Sequence, residues 1–86
     1  MNNVFNNLTN SLSEEFKKYD LDEKIQLSLS KIAGYDLQIN NLVKYKKSNY
    51  FQELQASLIE IINKSSIFLP VEKNDIGFIN LRLNHS

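Results

Sequence analysis

The 86-residue chain is long enough for one small domain with a single modest core, so residues 1–86 are expected to form one domain. Ten Lys and Arg residues balance ten Asp and Glu residues, which gives the surface as a whole no preference for nucleic acid or an anionic membrane. The lack of cysteine excludes disulfides and thiolate chemistry, and the lack of a membrane-length apolar run or a secretory leader pattern leads us to expect a cytoplasmic protein.

The first part of the chain predicts a helix and then a strand. Apolar side chains recur at helical spacing over about four turns, which indicates a helix that packs on the core. They are Val4, Phe5, Leu8, Leu12, Phe16 and Tyr19. Residues 25–31 then alternate strictly, which is typical of a strand with one buried face. The set expected to face the core is Ile25, Leu27 and Leu29, and the outward set is Gln26, Ser28 and Ser30.

Two more helices are predicted in the middle of the chain. The first begins at Asp36 as its N-cap and continues through residue 47, because apolar side chains again recur at helical spacing. Its last turn carries Lys44 and Lys47, where cations suit the helix dipole and where phosphate contact is a secondary interpretation. The second runs from Tyr50 to about Lys64, capped by Asn49. Its apolar face consists of Phe51, Leu54, Leu58, Ile61 and Ile62.

A hairpin of two strands is predicted near the C-terminus. Residues 67–73 form its first strand, which must lie at an edge or bulge because Pro70 cannot donate to a ladder. Residues 74–77 form the turn. The second strand carries Ile79, Leu81 and Leu83 on one face and Phe78, Asn80 and Arg82 on the other. A large aromatic ring on a polar strand face is unusual and marks a candidate binding residue.

Together these elements predict an α+β fold in the order α-β-α-α-β-β. Helices pack on one face of a small antiparallel sheet of three strands, with a short fourth allowed. The opposite face is left open and carries Phe78, Asn80, Arg82, Gln26 and Ser28.

The residue types favour recognition over catalysis. The only histidine, His85, is close to the end of the sequence and has no serine–aspartate partners in a plausible arrangement, so no catalytic or metal-binding residues are predicted. Unpaired RNA bases stack on aromatic rings, and amides pair with base edges. Phe78, Asn80 and Arg82 are therefore candidate RNA contacts. The alternative is that Phe78 tucks under a loop or the chain end.

Two segments resemble the N-terminal domain of arginyl-tRNA synthetases. Gly77–Leu81, after a strand and a turn, resembles the family's Pro-Gly-Phe-Ile-Asn signature. Asp36–Asn40 is similar to its Gly-Asp-Tyr-Gln-x-Asn segment. The similarity covers about residues 26–84. The chain departs from the family pattern at Ile76, Leu37 and Tyr35, where proline, tyrosine and glycine are usual.

The resemblance implies a tRNA-binding domain of an arginine–tRNA ligase that contacts the D-loop at the outer corner of tRNA(Arg). The residues that match the family's readers are Phe78 and Asn80, with Asp75 at the position of a polar residue in the preceding turn. Our hypothesis adds Arg82, Lys44 and Lys47 as candidate phosphate contacts. The family's His-x-Gly-His and Lys-Met-Ser-Lys-like segments do not occur here, so we expect a catalytic domain after Ser86 to hold arginine, ATP and magnesium. This region alone is expected to be non-catalytic, cofactor-free and monomeric.

Two other functions fit the same pattern. A stand-alone protein-interaction module would use the open sheet face or the Pro70 edge to bind a partner chain. A structural domain without a ligand of its own is the third interpretation.

Overall fold

Two helices form one layer of the domain. The structure, a computed structural model, describes the backbone of residues 3–85 and the side chains of residues 4–85. Helix α1 spans Asn3–Lys17 and helix α2 spans Phe51–Ser65. They contribute most of the buried core, namely Leu8, Leu12, Phe16, Phe51, Leu54, Leu58, Ile59 and Ile62. The apolar stripes therefore predicted both helices correctly. Asn49 does not cap α2, because Tyr50 is the N-cap and no side chain caps it.

A three-stranded antiparallel sheet forms the second layer, with strand order β1-β2-β3. The strands are β1 (Ser28–Leu29), β2 (Leu37–Ile39) and β3 (Ile79–Leu81). Leu37 lies opposite Leu81 and Ile39 opposite Ile79, so the apolar side chains of both strands share one face. Ile39, Ile79 and Leu81 are buried in the same core as the helices. The sheet therefore packs its aliphatic face on the two helices, and the predicted α+β class is confirmed.

The elements follow the predicted order, with β2 as an additional strand. Residues 36–47 were predicted as a helix, and this is wrong: only Val43–Tyr45 forms a short 3₁₀ helix. Asp36 does not cap a helix, since its Oδ2 accepts a hydrogen bond of 2.9 Å from the Leu83 amide and its own amide donates to the Leu81 carbonyl at 2.8 Å. Pairing with β3 therefore overrides the local helical pattern.

The strand predicted over residues 25–31 is also shorter than expected. Only two residues pair with β2, and Leu29 is 82% exposed although alternation assigned it to the core. Ile25 is buried and Leu27 half-buried, as predicted. Leu29 differs because β1 is the edge strand and none of the described residues covers its apolar side chain.

The strand predicted over residues 67–73 does not form, and its pairing with the last strand is limited to a few contacts. Phe68 forms an isolated antiparallel bridge with Leu83. The Leu69 amide donates to the Arg82 carbonyl at 2.8 Å, and beyond Pro70 no described strand continues. The main partner of β3 is β2.

Within residues 3–85, no helix has the length and apolar character needed to cross a bilayer.

Candidate nucleic-acid interface

A row of polar side chains crosses the sheet on the face away from the helices. Ser28 pairs with Gln38 in the register, and Gln38 pairs with Asn80, so the three side chains share this face. Gln38 Nε2 donates to Asn80 Oδ1 at 2.8 Å. No hydrogen bond among the described residues uses the Asn80 Nδ2 donors. The half-buried Asn80 amide is therefore oriented by Gln38 and has its N–H groups available to a ligand.

A groove of about 350 Å³ lies between β3 and residues 70–74, and we call it the β3 groove. It is lined by Tyr35, Pro70, Val71, Glu72, Lys73, Asn74, Asn80 and Arg82. The Arg82 guanidinium carbon lies 5.3 Å from the centroid of the Tyr35 ring, and both side chains are exposed. A guanidinium over a ring is a favourable cation–π contact, and both groups are planar. The groove thus combines an amide donor with a stacking surface.

The turn before β3 is held by one asparagine. Asn74 Oδ1 accepts hydrogen bonds from the amides of Ile76 at 2.9 Å and Gly77 at 2.7 Å, and Asn74 Nδ2 donates to the Phe78 carbonyl. The Asn74 carbonyl accepts a bond of 2.9 Å from Gln55 Nε2. Gln55 is fully buried on α2, and its Oε1 has no partner among the described residues. Helix α2 therefore anchors the turn from below.

Gly77 closes this turn where a residue with a side chain would be strained and tightly packed. Its φ is +102°, a backbone conformation that residues with a Cβ rarely adopt. A Cβ added there would lie 3.1 Å from Phe51 Cε1 and 3.2 Å from Val43 Cα. The glycine therefore allows the turn to pack directly on the 3₁₀ helix and α2.

The predicted readers occupy the start of β3 and the turn. Phe78 is half-buried, and it belongs neither to the buried core nor to the partly buried residues packed against that core. Asp75 is exposed in the turn. Of the predicted site residues, Asn80 and Arg82 meet in the β3 groove, whereas Phe78 and Asp75 precede them in the chain and do not line it.

The two predicted lysines lie elsewhere. Lys44 belongs to the 3₁₀ helix, and its Nζ lies 2.9 Å from a carboxylate oxygen of Glu23. It lines a second groove, of about 290 Å³, together with Lys24, Gln26, Ser28, Asn40 and Asn41, and we call this the Lys24 groove. Lys47 is exposed and has no carboxylate partner among the described residues. The structure therefore separates these lysines from the β3 groove.

Comparison with known families decides what kind of domain this is. The family model described as the arginyl-tRNA synthetase N-terminal domain matches residues 3–83. The chain belongs to this family. No curated protein and no solved structure matches it. The resemblance to the arginyl-tRNA synthetase N-terminal domain is thus confirmed, and the match extends well beyond the Gly77–Leu81 and Asp36–Asn40 segments.

One carboxylate that the sequence analysis did not identify, that of Glu23, stabilises the 3₁₀ helix of this arginyl-tRNA synthetase domain. Glu23 accepts hydrogen bonds from Tyr45 Oη, from Asn41 Nδ2 at 2.9 Å and from Lys44 Nζ. Burial alone would raise the pKa of the Glu23 carboxyl, but the bonds it accepts, first that from Tyr45, outweigh burial and lower this pKa. Burial and the bond to Glu23 raise the pKa of Tyr45 to about 12.

The domain is therefore expected to lose stability in acid through Glu23. A carboxyl whose pKa is lower in the folded state stabilises the fold above its ordinary pKa of 4.5, and this stability is lost as the pH falls. Glu23→Gln should lower the free energy of unfolding by about 1–3 kcal/mol at neutral pH. The difference from wild type should shrink in thermal unfolding measured down to about pH 3.

Glu14→Gln is the control, because its side chain is 70% exposed and has only an i,i+3 partner. The assignment is wrong if Glu23→Gln keeps a constant deficit at every pH, since titration of Glu23 would then contribute nothing.

Several residues of the site were not predicted as such. Gln38 was assigned to a helix, because the three-residue alternation Leu37-Gln38-Ile39 is too short to distinguish a strand from a helix. Asn74 was predicted only as part of the turn, and no sequence signal links Tyr35 to Arg82 or Gln55 to Asn74. These contacts follow from tertiary packing alone.

Proposed function

We propose that this domain binds tRNA(Arg) with the polar face of its sheet, and that it recognises an unpaired nucleotide of the D-loop at the outer corner of the tRNA. It would thereby support aminoacylation by the catalytic domain of an arginine–tRNA ligase. The observation that carries the proposal is the β3 groove, where an oriented amide and a guanidinium meet. Phe78 lies two residues before Asn80 and does not belong to the buried core.

The β3 groove and Phe78, which precedes β3 in the chain, together offer the three kinds of contact that an unpaired base requires. Phe78 offers a ring on which a base stacks. Asn80 offers Nδ2 donors, because Gln38 already donates to its Oδ1, so the preferred base atoms are acceptors such as carbonyl oxygens or unprotonated ring nitrogens. Arg82, held over Tyr35, offers a cation for phosphate or a plane for stacking.

The other predicted residues have narrower roles in this proposal. Asp75 is a carboxylate and can only accept, so it would bind an amino group or a ribose hydroxyl. Lys47 is exposed and suits a phosphate contact, whereas the charge of Lys44 is partly balanced by Glu23. The equal numbers of cationic and anionic residues imply weak binding by the isolated domain and dependence on contacts made by the rest of the enzyme.

The polar character of the open face favours RNA over a protein partner. The cores of protein interfaces are apolar and aromatic, whereas the Ser28–Gln38–Asn80 row offers hydroxyl and amide groups. The alternative of a protein-interaction module on this face therefore has less support.

Phe78→Ala and Asn80→Ala are expected to weaken tRNA binding in the full enzyme. Base stacking is worth about 1–3 kcal/mol, which corresponds to a rise of about 5- to 150-fold in the KM for tRNA in the Phe78→Ala enzyme. The effect of Asn80→Ala should lie at the lower end, since one neutral hydrogen bond is worth about 0.5–1.5 kcal/mol. Aminoacylation kinetics and tRNA-independent binding of arginine and ATP are the measurements.

Asn10→Ala is the matched control, because Asn10 is an exposed amide on α1, away from the sheet. Unchanged charging kinetics in both the Phe78 and the Asn80 variants would refute the proposal. A loss of ATP binding would also count against it, since the effect would then not be specific to tRNA.

A further inference from the structure

We propose that the Lys24 groove binds the ribose–phosphate of a second, neighbouring nucleotide of the same RNA strand. This inference rests on the proposed function, and it adds a site on the opposite side of the polar row. The ligand class is an unpaired nucleotide with its phosphate.

The Lys24 groove lies where β1 and β2 separate. The register places Ser28 opposite Gln38, and Gln26 and Asn40 each lie two residues beyond this pair, past the ends of the two strands. The side chains of Gln26 and Asn40 both line the groove. By the period of two along a strand, they are expected on the same face of the sheet as Gln38. Every lining residue is polar or cationic, so the groove offers mainly hydrogen-bonding groups and positive charge. Such a lining suits sugar hydroxyls and phosphate oxygens.

The surface of the groove is positive although the chain has no net charge. Lys24 is exposed and has no carboxylate partner among the described residues. Lys44 does pair with Glu23, but its side chain is 59% exposed whereas that of Glu23 is 8% exposed. The Glu23 carboxylate is therefore buried against the groups that donate hydrogen bonds to it, while the ammonium groups of Lys24 and Lys44 remain accessible to solvent. A phosphate approaching the groove meets two cations and little negative charge.

The polar row connects the two grooves. Ser28 lines the Lys24 groove and Asn80 lines the β3 groove, with Gln38 between them. Two strand spacings separate Ser28 from Asn80, or about 10 Å. Four-stranded RNA-binding sheets hold two or three bases across their face, so three strands are wide enough for two nucleotides. A strand with one base in the β3 groove can therefore place an adjacent phosphate in the Lys24 groove.

The test compares Lys24→Glu and Gln26→Ala with Lys17→Glu and Asn80→Ala in the 86-residue chain. Lys17→Glu makes the same charge change on α1, where the lysine side chain is 60% exposed. The probe is an unmodified tRNA(Arg) transcript, and its Kd is measured over a range of salt concentrations. Lys24→Glu should raise the Kd about three- to tenfold at low salt and reduce the salt slope by about 0.7. Gln26→Ala should raise the Kd about twofold without changing the slope.

Each outcome separates this inference from the proposed function. If Lys24→Glu and Gln26→Ala bind like wild type while Asn80→Ala binds more weakly, the second site is wrong and the D-loop contact stands. If Lys24→Glu and Lys17→Glu weaken binding equally, the effect is general electrostatics and the inference is also overturned. If none of these variants changes the Kd, both proposals fail. Thermal unfolding of each variant confirms that it is folded.

Discussion

Gly77→Ala is expected to destabilise the domain by about 2–5 kcal/mol, because it adds backbone strain and overpacking at one position. A side chain at a φ of +102° is strained, and the new Cβ would lie 3.1–3.3 Å from atoms of Phe51 and Val43. Two of these three close contacts are to backbone atoms, which cannot move aside as a flexible side chain can. For a domain of this size the melting temperature should fall by more than about 10 °C.

Gly34→Ala is the matched control for Gly77→Ala. Gly34 has a φ of +89°, and a Cβ there meets nothing within 4 Å. The control therefore measures the strain alone, and we expect it to cost about 1–2 kcal/mol. Thermal or urea unfolding of both variants gives the difference, which is the cost of the contact with Phe51 and Val43. Equal losses in the two variants would show that the turn relaxes away from α2.

Asn74→Ala is expected to have the second largest effect, at about 2–4 kcal/mol. The substitution removes both bonds accepted by Oδ1 and the bond donated to the Phe78 carbonyl, each worth about 0.5–1.5 kcal/mol. Because this turn carries Asp75 and leads into Phe78, tRNA affinity should fall together with stability. Unfolding by urea and titration with a tRNA(Arg) transcript measure the two effects.

Asn74→Asp separates the two kinds of bond. The carboxylate still accepts from the amides of Ile76 and Gly77, but it cannot donate to the Phe78 carbonyl. We expect its stability to lie between that of wild type and that of Asn74→Ala. If Asn74→Asp is as unstable as Asn74→Ala, the bonds accepted by Oδ1 do not hold the turn.

The elements predicted correctly from the sequence are those with long or clean periodicity. Helices α1 and α2 each carry an apolar stripe at helical spacing over 15 residues. So long a pattern is typical of a helix and of no other regular structure. Strand β3 was predicted because Ile79, Leu81 and Leu83 recur at every second position. Ile79 and Leu81 are indeed buried. Local pattern and tertiary packing agree in these segments.

The elements that were missed depend on distant partners. In residues 36–47, Ile39, Leu42 and Val43 fit a helical spacing, but Leu37 and Ile39 pair instead with Leu81 and Ile79. Nothing local distinguishes these possibilities in so short a run. Leu29 was assigned to the core from alternation alone, which cannot show that β1 lies at the sheet edge.

The part of the candidate site that lies along one strand could be predicted from the sequence, but the contacts between residues distant in the chain could not. Phe78, Asn80 and Arg82 lie at alternate positions near one strand, so their shared face follows from the period of two. The Gln38–Asn80 hydrogen bond joins residues 42 positions apart, and the Arg82–Tyr35 contact is similarly distant. Such partners become visible only when the register of the sheet is known.

The register of β2 and β3 also has a kinetic consequence. The local contacts of each helix form within microseconds, but joining β2 to β3 requires closure of a loop of about 40 residues before any of its pairing energy is gained. On the ribosome, a nascent chain that stops short of residue 79 would lack Ile79 and Leu81, which complete the core on the two helices. We therefore expect the polar face of the sheet to be assembled last during folding, and protease resistance of a stalled chain to increase sharply once β3 has left the exit tunnel.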